Sequence, residues 1–411
     1  MIQRIGILTN TYPPIRNGVS MAVVGLEQEL TRAGIEVFIA TPKVEGVNYP
    51  NNVFTFEAIP LPKDISDDLK LAPVYTKKVA KFFAQKDIQL IHTCDTLFGG
   101  IEGAYIAREL DIPSIHTFHT LVEDYKMVSF PAYRRILRRG IKEICNSYDH
   151  VIAPSTKVYK YLLGLTVTPI SQIYNIPYLN SIKFVDHPNF EDLDVKYGIK
   201  DDDFVFLTFC RIAKEKGLNF GIDTLAQILK HNPKVKYVIA GQGPQKADLI
   251  DQATKLGIEK QIIFIGEYSP ENLKQIARNT KAKVFLFTSL SENLPTNLLE
   301  AMYLALPVVA VNDESSNYLM KNSFNGYQDK LDNLFEHCLR LVYSQGLVNQ
   351  MSINAKQTAT DFLAQDICQQ HINLYNKVIE DYVSQPKNSL LDLDDILKKT
   401  LTKIKNILNN L

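Results

Sequence analysis

The chain has 411 residues, enough for two domains with substantial cores. Its 45 basic and 45 acidic side chains cancel and 45% of residues are hydrophobic, an ordinary globular profile with no global drive toward nucleic acid. Five cysteines (Cys94, Cys145, Cys210, Cys338, Cys368) are odd in number and lack zinc-type spacing, so reduced thiols are expected rather than a disulfide framework.

From the N-terminus, strands are expected at Arg4–Thr9, Val37–Thr41, Val53–Phe56, Leu90–His92, Ser114–Thr117 and His150–Pro154. Helical periodicity covers Ser20–Ala33, Pro73–Gln85 and Gly99–Leu110. The first strand begins at once, with no charged-then-apolar leader ahead of it. Strands alternating with helices predict parallel sheets of βαβ units. Beyond residue 130, Arg134, Arg135, Arg138 and Arg139 fall at i, i+1, i+4 and i+5 and share one helix face, with Ile136, Leu137 and Ile141 elsewhere. A basic amphipathic helix suits an anionic lipid surface. A solvated basic face on a helix packed against the domain core gives the same pattern.

Around 178–203 the character changes: Pro177, Pro188 and Asn189 sit among mixed charges, as in a linker. The alternation then resumes with strands Phe204–Phe209, Val235–Ala240, Ile262–Ile265 and Val284–Thr288, a helix at Pro295–Leu304 and a strand at Val308–Val311. The break near the middle speaks against a TIM barrel. A helical pattern follows over 366–382. The tail Leu390–Leu411 interleaves Leu391, Ile396, Leu401, Ile404 and Leu408 with Lys398, Lys399, Lys403 and Lys405. Lying on lipid, pairing with another chain and docking on the fold all suit it equally. No apolar run reaches the ~20 residues of a membrane-spanning helix.

Three turns carry chemistry. Phe204–Phe209 leads into Cys210-Arg211-Ile212-Ala213-Lys214-Glu215-Lys216-Gly217, where a planar guanidinium and a mobile ammonium can converge on one phosphate pair. Val235–Ala240 ends in Gly241-Gln242-Gly243-Pro244, a tight turn where backbone can approach a ligand. Glu292-Asn293-Leu294-Pro295-Thr296-Asn297-Leu298-Leu299-Glu300 places one carboxylate in a loop and a second on a helix begun by Pro295 in its first turn. The free N–H groups and dipole at that helix start favour an anion. A nucleotide-sugar has the matching layout: sugar hydroxyls for one Glu, diphosphate for the amides, ribose for the other. Two glutamates at this spacing are also what a solvated helix face shows, and lone loop cations are commonly solvated. A metal-dependent transferase would want an Asp-x-Asp pair at a strand end. Asp201–Asp203 and Asp392–Asp394 match formally but read as turn or capping residues.

In this order, a basic turn, two Gly turns and Glu-x7-Glu-Ala-Met resemble the retaining GT-B glycosyltransferases of the family-4 type. The opening Ile5–Pro14 strand and Asn17-Gly18-Val19 loop extend the likeness over roughly residues 1–380. His116-Thr117-Phe118-His119-Thr120-Leu121-Val122-Glu123-Asp124-Tyr125 resembles the His-Thr-Tyr-His-Thr-x-x-Glu-Asp-Tyr segment of bacterial diacylglycerol glucosyltransferases. The chain departs from the family at Leu294-Pro295, where Phe-Gly is usual, and at Ala305 and Cys210, where Gly is common.

The resemblance implies an α/β GT-B fold, two Rossmann-like doubly wound parallel-sheet domains facing across a cleft. Its expected parts are an acceptor-side domain at 1–180 with the 366–382 helix crossing back, a linker at 181–203, a nucleotide-sugar domain at 204–365 and an amphipathic tail at 383–411. It implies retention of configuration by a front-face mechanism without a metal or other cofactor. His119 and Glu292 become the catalytic pair at the sugar, and His116 is structural. Gly18, Arg211, Lys216, Asn293, Leu294, Pro295, Thr296, Glu300 and Tyr268 become donor contacts, with Glu300 on the ribose and Tyr268 on the nucleobase, unless Tyr268 is a surface loop tyrosine. Tyr125, Arg134, Arg135, Arg138 and Arg139 become the acceptor or membrane side. The expected activity is transfer of a hexose, glucose from UDP-glucose, to diacylglycerol or a related lipid by a cytoplasmic enzyme held peripherally at the inner membrane face. A soluble or polyisoprenoid-linked glycan acceptor, a catalytically silent nucleotide-sugar-binding protein and an epimerase stand as alternatives. No nucleic-acid partner is expected, and the tail offers a route to oligomers.

Overall fold

A computed structural model describes residues 1–15, 17–60, 70–71, 76–95, 98–119, 121, 131–173, 190–290, 292–363 and 366–383. The chain forms two compact units, one from Met1 to Ser181 with Asp366 onward, the other Ile182–Gln365.

The strands of the first unit are β1 (Arg4–Thr9), β2 (Glu36–Pro42), β3 (Val53–Phe56), β6 (Leu90–Asp95), β7 (Ser114–Phe118), β8 (His150–Ala153) and β9 (Ile170–Gln172), with a two-strand ribbon β4 (Ile59–Pro60) and β5 (Lys70–Leu71). The seven long-range strands form one parallel sheet in the order β3-β2-β1-β6-β7-β8-β9. Its helices are α1 (Gly18–Arg32), α2 (Thr76–Gln85), α3 (Phe98–Leu110), α4 (Pro131–Cys145) and α5 (Thr156–Gly164). Strands covered by helices on both faces read as continuous apolar runs, as Ile5-Gly6-Ile7-Leu8 does. α13 (Ile367–Asp381) packs on α1 and also belongs to this unit, burying Ile367, His371, Tyr375 and Val378. Asn376 Oδ1 accepts the Ile2 amide at 2.7 Å, and Tyr382 donates to Asp111 at 3.1 Å.

In the second unit a parallel sheet runs β12 (Ile262–Gly266), β11 (Val235–Ala240), β10 (Phe204–Phe209), β13 (Ala282–Phe287), β14 (Val308–Val311), β15 (Gly326–Asp329). The helices are α6 (Leu193–Tyr197), α7 (Leu218–Leu229), α8 (Lys246–Lys255), α9 (Leu273–Asn279), α10 (Thr296–Tyr303), α11 (Leu334–Val342) and α12 (Gln345–Leu363). One core joins Phe206, Ile222, Tyr237, Leu286, Leu341 and Met351. Two open doubly wound sheets rule out the barrel.

Residues 190–203, expected as linker, carry α6 and sit on the second unit. Lys281 Nζ reaches Asp194 at 2.7 Å and Asp201 at 2.9 Å. Asp202 pairs with Lys234 at 2.6 Å, and Asp203, buried, accepts the Lys200 amide at 2.8 Å. The Asp201–Asp203 triplet is thus spent on structure. Asp392–Asp394, the rest of the 174–189 stretch and the tail from 384 lie outside the described residues.

Candidate functional site

In the second unit the chain leaves β10 toward β11 on one side and returns to β13 on the other. That places a topological switch point between β10 and β13, where ligands bind outside the C-terminal strand ends of open α/β sheets. The loops after these two strands are stitched together. Thr288 Oγ1 donates to the Lys216 carbonyl at 3.0 Å, and the Leu290 amide to the Glu215 carbonyl at 2.9 Å. Gly217 has φ +59°, and a Cβ there would lie 2.3 Å from the Thr288 carbonyl oxygen, so any other residue would force the loops apart.

Lys216 Nζ forms an ion pair with Glu292 Oε1, their side chains 20% and 15% exposed. Ser289 Oγ donates to the same carboxylate oxygen at 2.6 Å. Burial opposes the Lys216 ammonium, but the attraction and hydrogen bond of Glu292 outweigh it and hold its pKa above the ordinary lysine value. Arg211 is exposed and pairs with Glu215 at 2.6 Å. Each of the two cations expected to converge on phosphate is thus met by a carboxylate of its own.

Pro295 is likewise not in the first turn of α10 but at its N-cap, with φ −74°, ψ 89° and no side-chain cap, because Thr296 is the first helical residue. The opening N–H groups of α10 have no intrahelical partner. Asn297 Nδ2 donates to the Phe209 carbonyl at 3.2 Å, tying the helix start to the end of β10. Asn293, Leu294 and Thr296 are half-buried, Pro295 is buried, and Glu300 is 5% exposed. Tyr268 is no loose surface tyrosine. It stands edge-on to Phe209 at 5.9 Å, and burial, then the Glu300 carboxylate, push its hydroxyl pKa up.

The Gly-x-Gly turn packs its backbone tightly against the loop after β10. A Cβ on Gly241 would strike the Cys210 carbonyl oxygen at 1.9 Å, and one on Gly243 that of Ile212 at 2.2 Å. The two glycines let the turn lie on the Arg211 loop, held by Ile212 N–H to Gln242 O at 2.8 Å. Ala305 adopts φ +60°, the conformation that glycine takes most easily at this position.

In the first unit Gly18 opens α1 behind Asn17, whose side chain caps the Ser20 amide at 2.9 Å. Space above Gly18 is open, with nothing within 4 Å of a Cβ built there. His119 follows β7, and its pKa is pushed down to about 3 by burial, then by His116 and His371. His116 is fully buried and stacks on Tyr148 at 5.0 Å. Sequence reading missed the group behind it. His92 shares hydrogen bonds with Tyr375 of α13 at 2.8 Å and Thr117 of β7 at 2.7 Å. Partners 283 residues apart leave no local signal. Tyr125 lies outside the described residues. Among the described residues no group of three or more His, Cys, Asp or Glu could hold a metal, and no helix is long and apolar enough to cross a membrane.

On α4, Arg134, Arg135, Arg138 and Arg139 are exposed together, while Ile141, Ile144 and Cys145 are buried in the core with Leu137 packed against it. The shared basic face stands as expected. Among the described side chains of the helix, these apolar ones fill the domain core rather than facing outward.

A family model described as Glycosyltransferase Family 4 matches residues 16–176, and one described as Glycosyl transferases group 1 matches residues 189–358. The alpha-monoglucosyldiacylglycerol synthase of Streptococcus pneumoniae is 32% identical over 334 residues, 79% of this chain and 74% of that protein. The chain belongs to the family-4 glycosyltransferases. As a family-4 enzyme it is nucleotide-sugar-dependent and retaining. The synthase of the same name from Acholeplasma laidlawii is 24% identical over 394 residues, 92% of this glycosyltransferase and 98% of that protein. The crystal structure of Anabaena HepE with UDP-glucose aligns with a TM-score of 0.70 at 20% identity, covering 90% of this chain and 99% of that one, which shows the GT-B fold.

Proposed function

We propose that this glycosyltransferase moves glucose from UDP-glucose to diacylglycerol or a related membrane lipid. The observation that carries the donor half is the meeting of Lys216, Glu292 and Ser289 at the β10/β13 switch point, beside the uncapped start of α10. In this reading Lys216, Arg211 and the Thr296 and Asn297 amides take the diphosphate, the stabilisation that dominates departure of such a leaving group. Gly18 lets backbone approach it as well. Glu292 holds the sugar with the Asn293–Pro295 loop alongside, Glu300 the ribose, Tyr268 the base, and His119 contacts the sugar as a neutral imidazole. Support for the acceptor comes from two relatives of the same printed name spanning most of the chain. Incubating the protein with several nucleotide-sugars and either diacylglycerol vesicles or soluble oligosaccharides, with mass spectrometry of the products, should yield hexosyl-diacylglycerol from UDP-glucose. Product on oligosaccharide alone would overturn the lipid assignment.

The α4 arginines give this reading its membrane side. With Leu137, Ile141, Ile144 and Cys145 at the core, the arginines attract anionic lipid electrostatically, about 1 kcal/mol per cation near the surface. Changing Arg134, Arg135, Arg138 and Arg139 together to Gln should weaken binding to anionic vesicles by about 1000-fold at low salt, with donor hydrolysis unchanged. Equal cosedimentation would remove the arginines from the lipid contact.

A further inference from the structure

We infer that Ser289 is the positioning residue that keeps Glu292 aimed when a donor draws Lys216 away. The inference rests on the donor-site reading of Glu292. Ser289 sits directly after the Thr288 that binds the Lys216 carbonyl, is 3% exposed, and donates at 2.6 Å to Glu292 Oε1, the oxygen that also receives Lys216. Without ligand, therefore, two donors hold one carboxylate oxygen. A diphosphate competes for the ammonium, which is positively charged and mobile. It does not compete for the Ser289 hydroxyl, which is buried and fixed on a strand-end loop. Once Lys216 turns to phosphate, this hydroxyl remains to hold the Glu292 carboxylate in place.

The second contact of Ser289, to the Glu215 carbonyl, is longer at 3.3 Å, and the Leu290 amide already occupies that carbonyl at 2.9 Å. Removing the hydroxyl therefore leaves the loops joined and changes chiefly the hold on Glu292.

The test is a double-mutant cycle on the full chain, reading kcat and KM for glucosyl transfer from UDP-glucose beside the affinity for UDP, which lacks the sugar. Ser289→Ala should lower kcat about tenfold, the scale of one hydrogen bond to a charged group, with UDP affinity within about twofold of wild type. Ser289→Thr, which keeps the hydroxyl, should restore most of the rate. In a Glu292→Ala background, Ser289→Ala should cost nothing further, because its partner is gone. Additive losses in that background, or UDP affinity falling in step with kcat, would overturn the inference and make Ser289 a merely structural residue. Wild-type turnover by Glu292→Ala alone would instead overturn the donor-site reading, a result that does not involve Ser289.

Discussion

Replacing Lys216 by alanine is expected to lower kcat/KM for the nucleotide-sugar by roughly 10- to 100-fold, the value of a charge-assisted hydrogen bond of about 1.5–3 kcal/mol. Two effects act in one direction. The diphosphate loses a cation that the structure holds protonated, and Glu292 loses the ammonium paired with it in a largely buried setting. Arg211 should matter less, since it is exposed and its partner Glu215 is two-fifths exposed. Lys216→Arg should not rescue, because a planar fork cannot take the place of a compact ammonium beside Ser289 and Glu292. UDP titration with steady-state kinetics checks the order Lys216→Ala worse than Arg211→Ala. Unchanged donor kinetics in Lys216→Ala would remove the β10 loop from phosphate binding.

The fold was legible wherever a strand is buried on both faces. Arg4–Thr9, Phe204–Phe209, Val235–Ala240 and Val308–Val311 run between the same residues in sequence reading and in the structure, because each is an apolar run closed by turn residues. Of the four edge strands of the two parallel sheets, Val53–Phe56 and Ile262–Gly266 were legible and the other two were not. Ile170–Gln172 and Gly326–Asp329 are short and half polar, and only their place beside β8 and β14 makes them strands. For the candidate site, the residue types and their order could be read but not their pairing. Nothing local says that Lys216 meets Glu292 across 76 residues, or that Ser289 turns toward the same carboxylate. That the Gly241–Gly243 turn packs against the carbonyls of Cys210 and Ile212 could not be read from the glycines alone. The arginines of α4 were legible from helical spacing alone, while the fate of its apolar side chains depended on tertiary packing.

Acidification should unfold the first unit before the second. Five of its histidines have pKa values pushed down chiefly by burial: His92 well below the ordinary value, His119 to about 3, and His116, His150 and His371 to about 4. Their unfolded reference is 6.5, so between that pH and the folded values the unfolded chain binds more protons than the native one. Stability then rises with pH across this window. The penalty is absent above the unfolded pKa, grows as pH falls, and levels off below the folded values. Each of His92, His116, His119 and His371 costs about 1 kcal/mol per pH unit, with the more exposed His150 costing less, so by about pH 5 they together reach the low end of the 5–15 kcal/mol that a domain has in total. The burden falls on β6, β7, β8 and α13, where the His92 hydrogen bonds to Tyr375 and Thr117 join the returning helix to the sheet. Urea midpoints measured from pH 7.5 to 5 should drop steeply. Hydrogen exchange should show peptides of β6 and β7 losing protection while those of β10 and β11 retain it. Loss of β10 and β11 protection first would mean that these imidazoles do not set the acid limit of the fold.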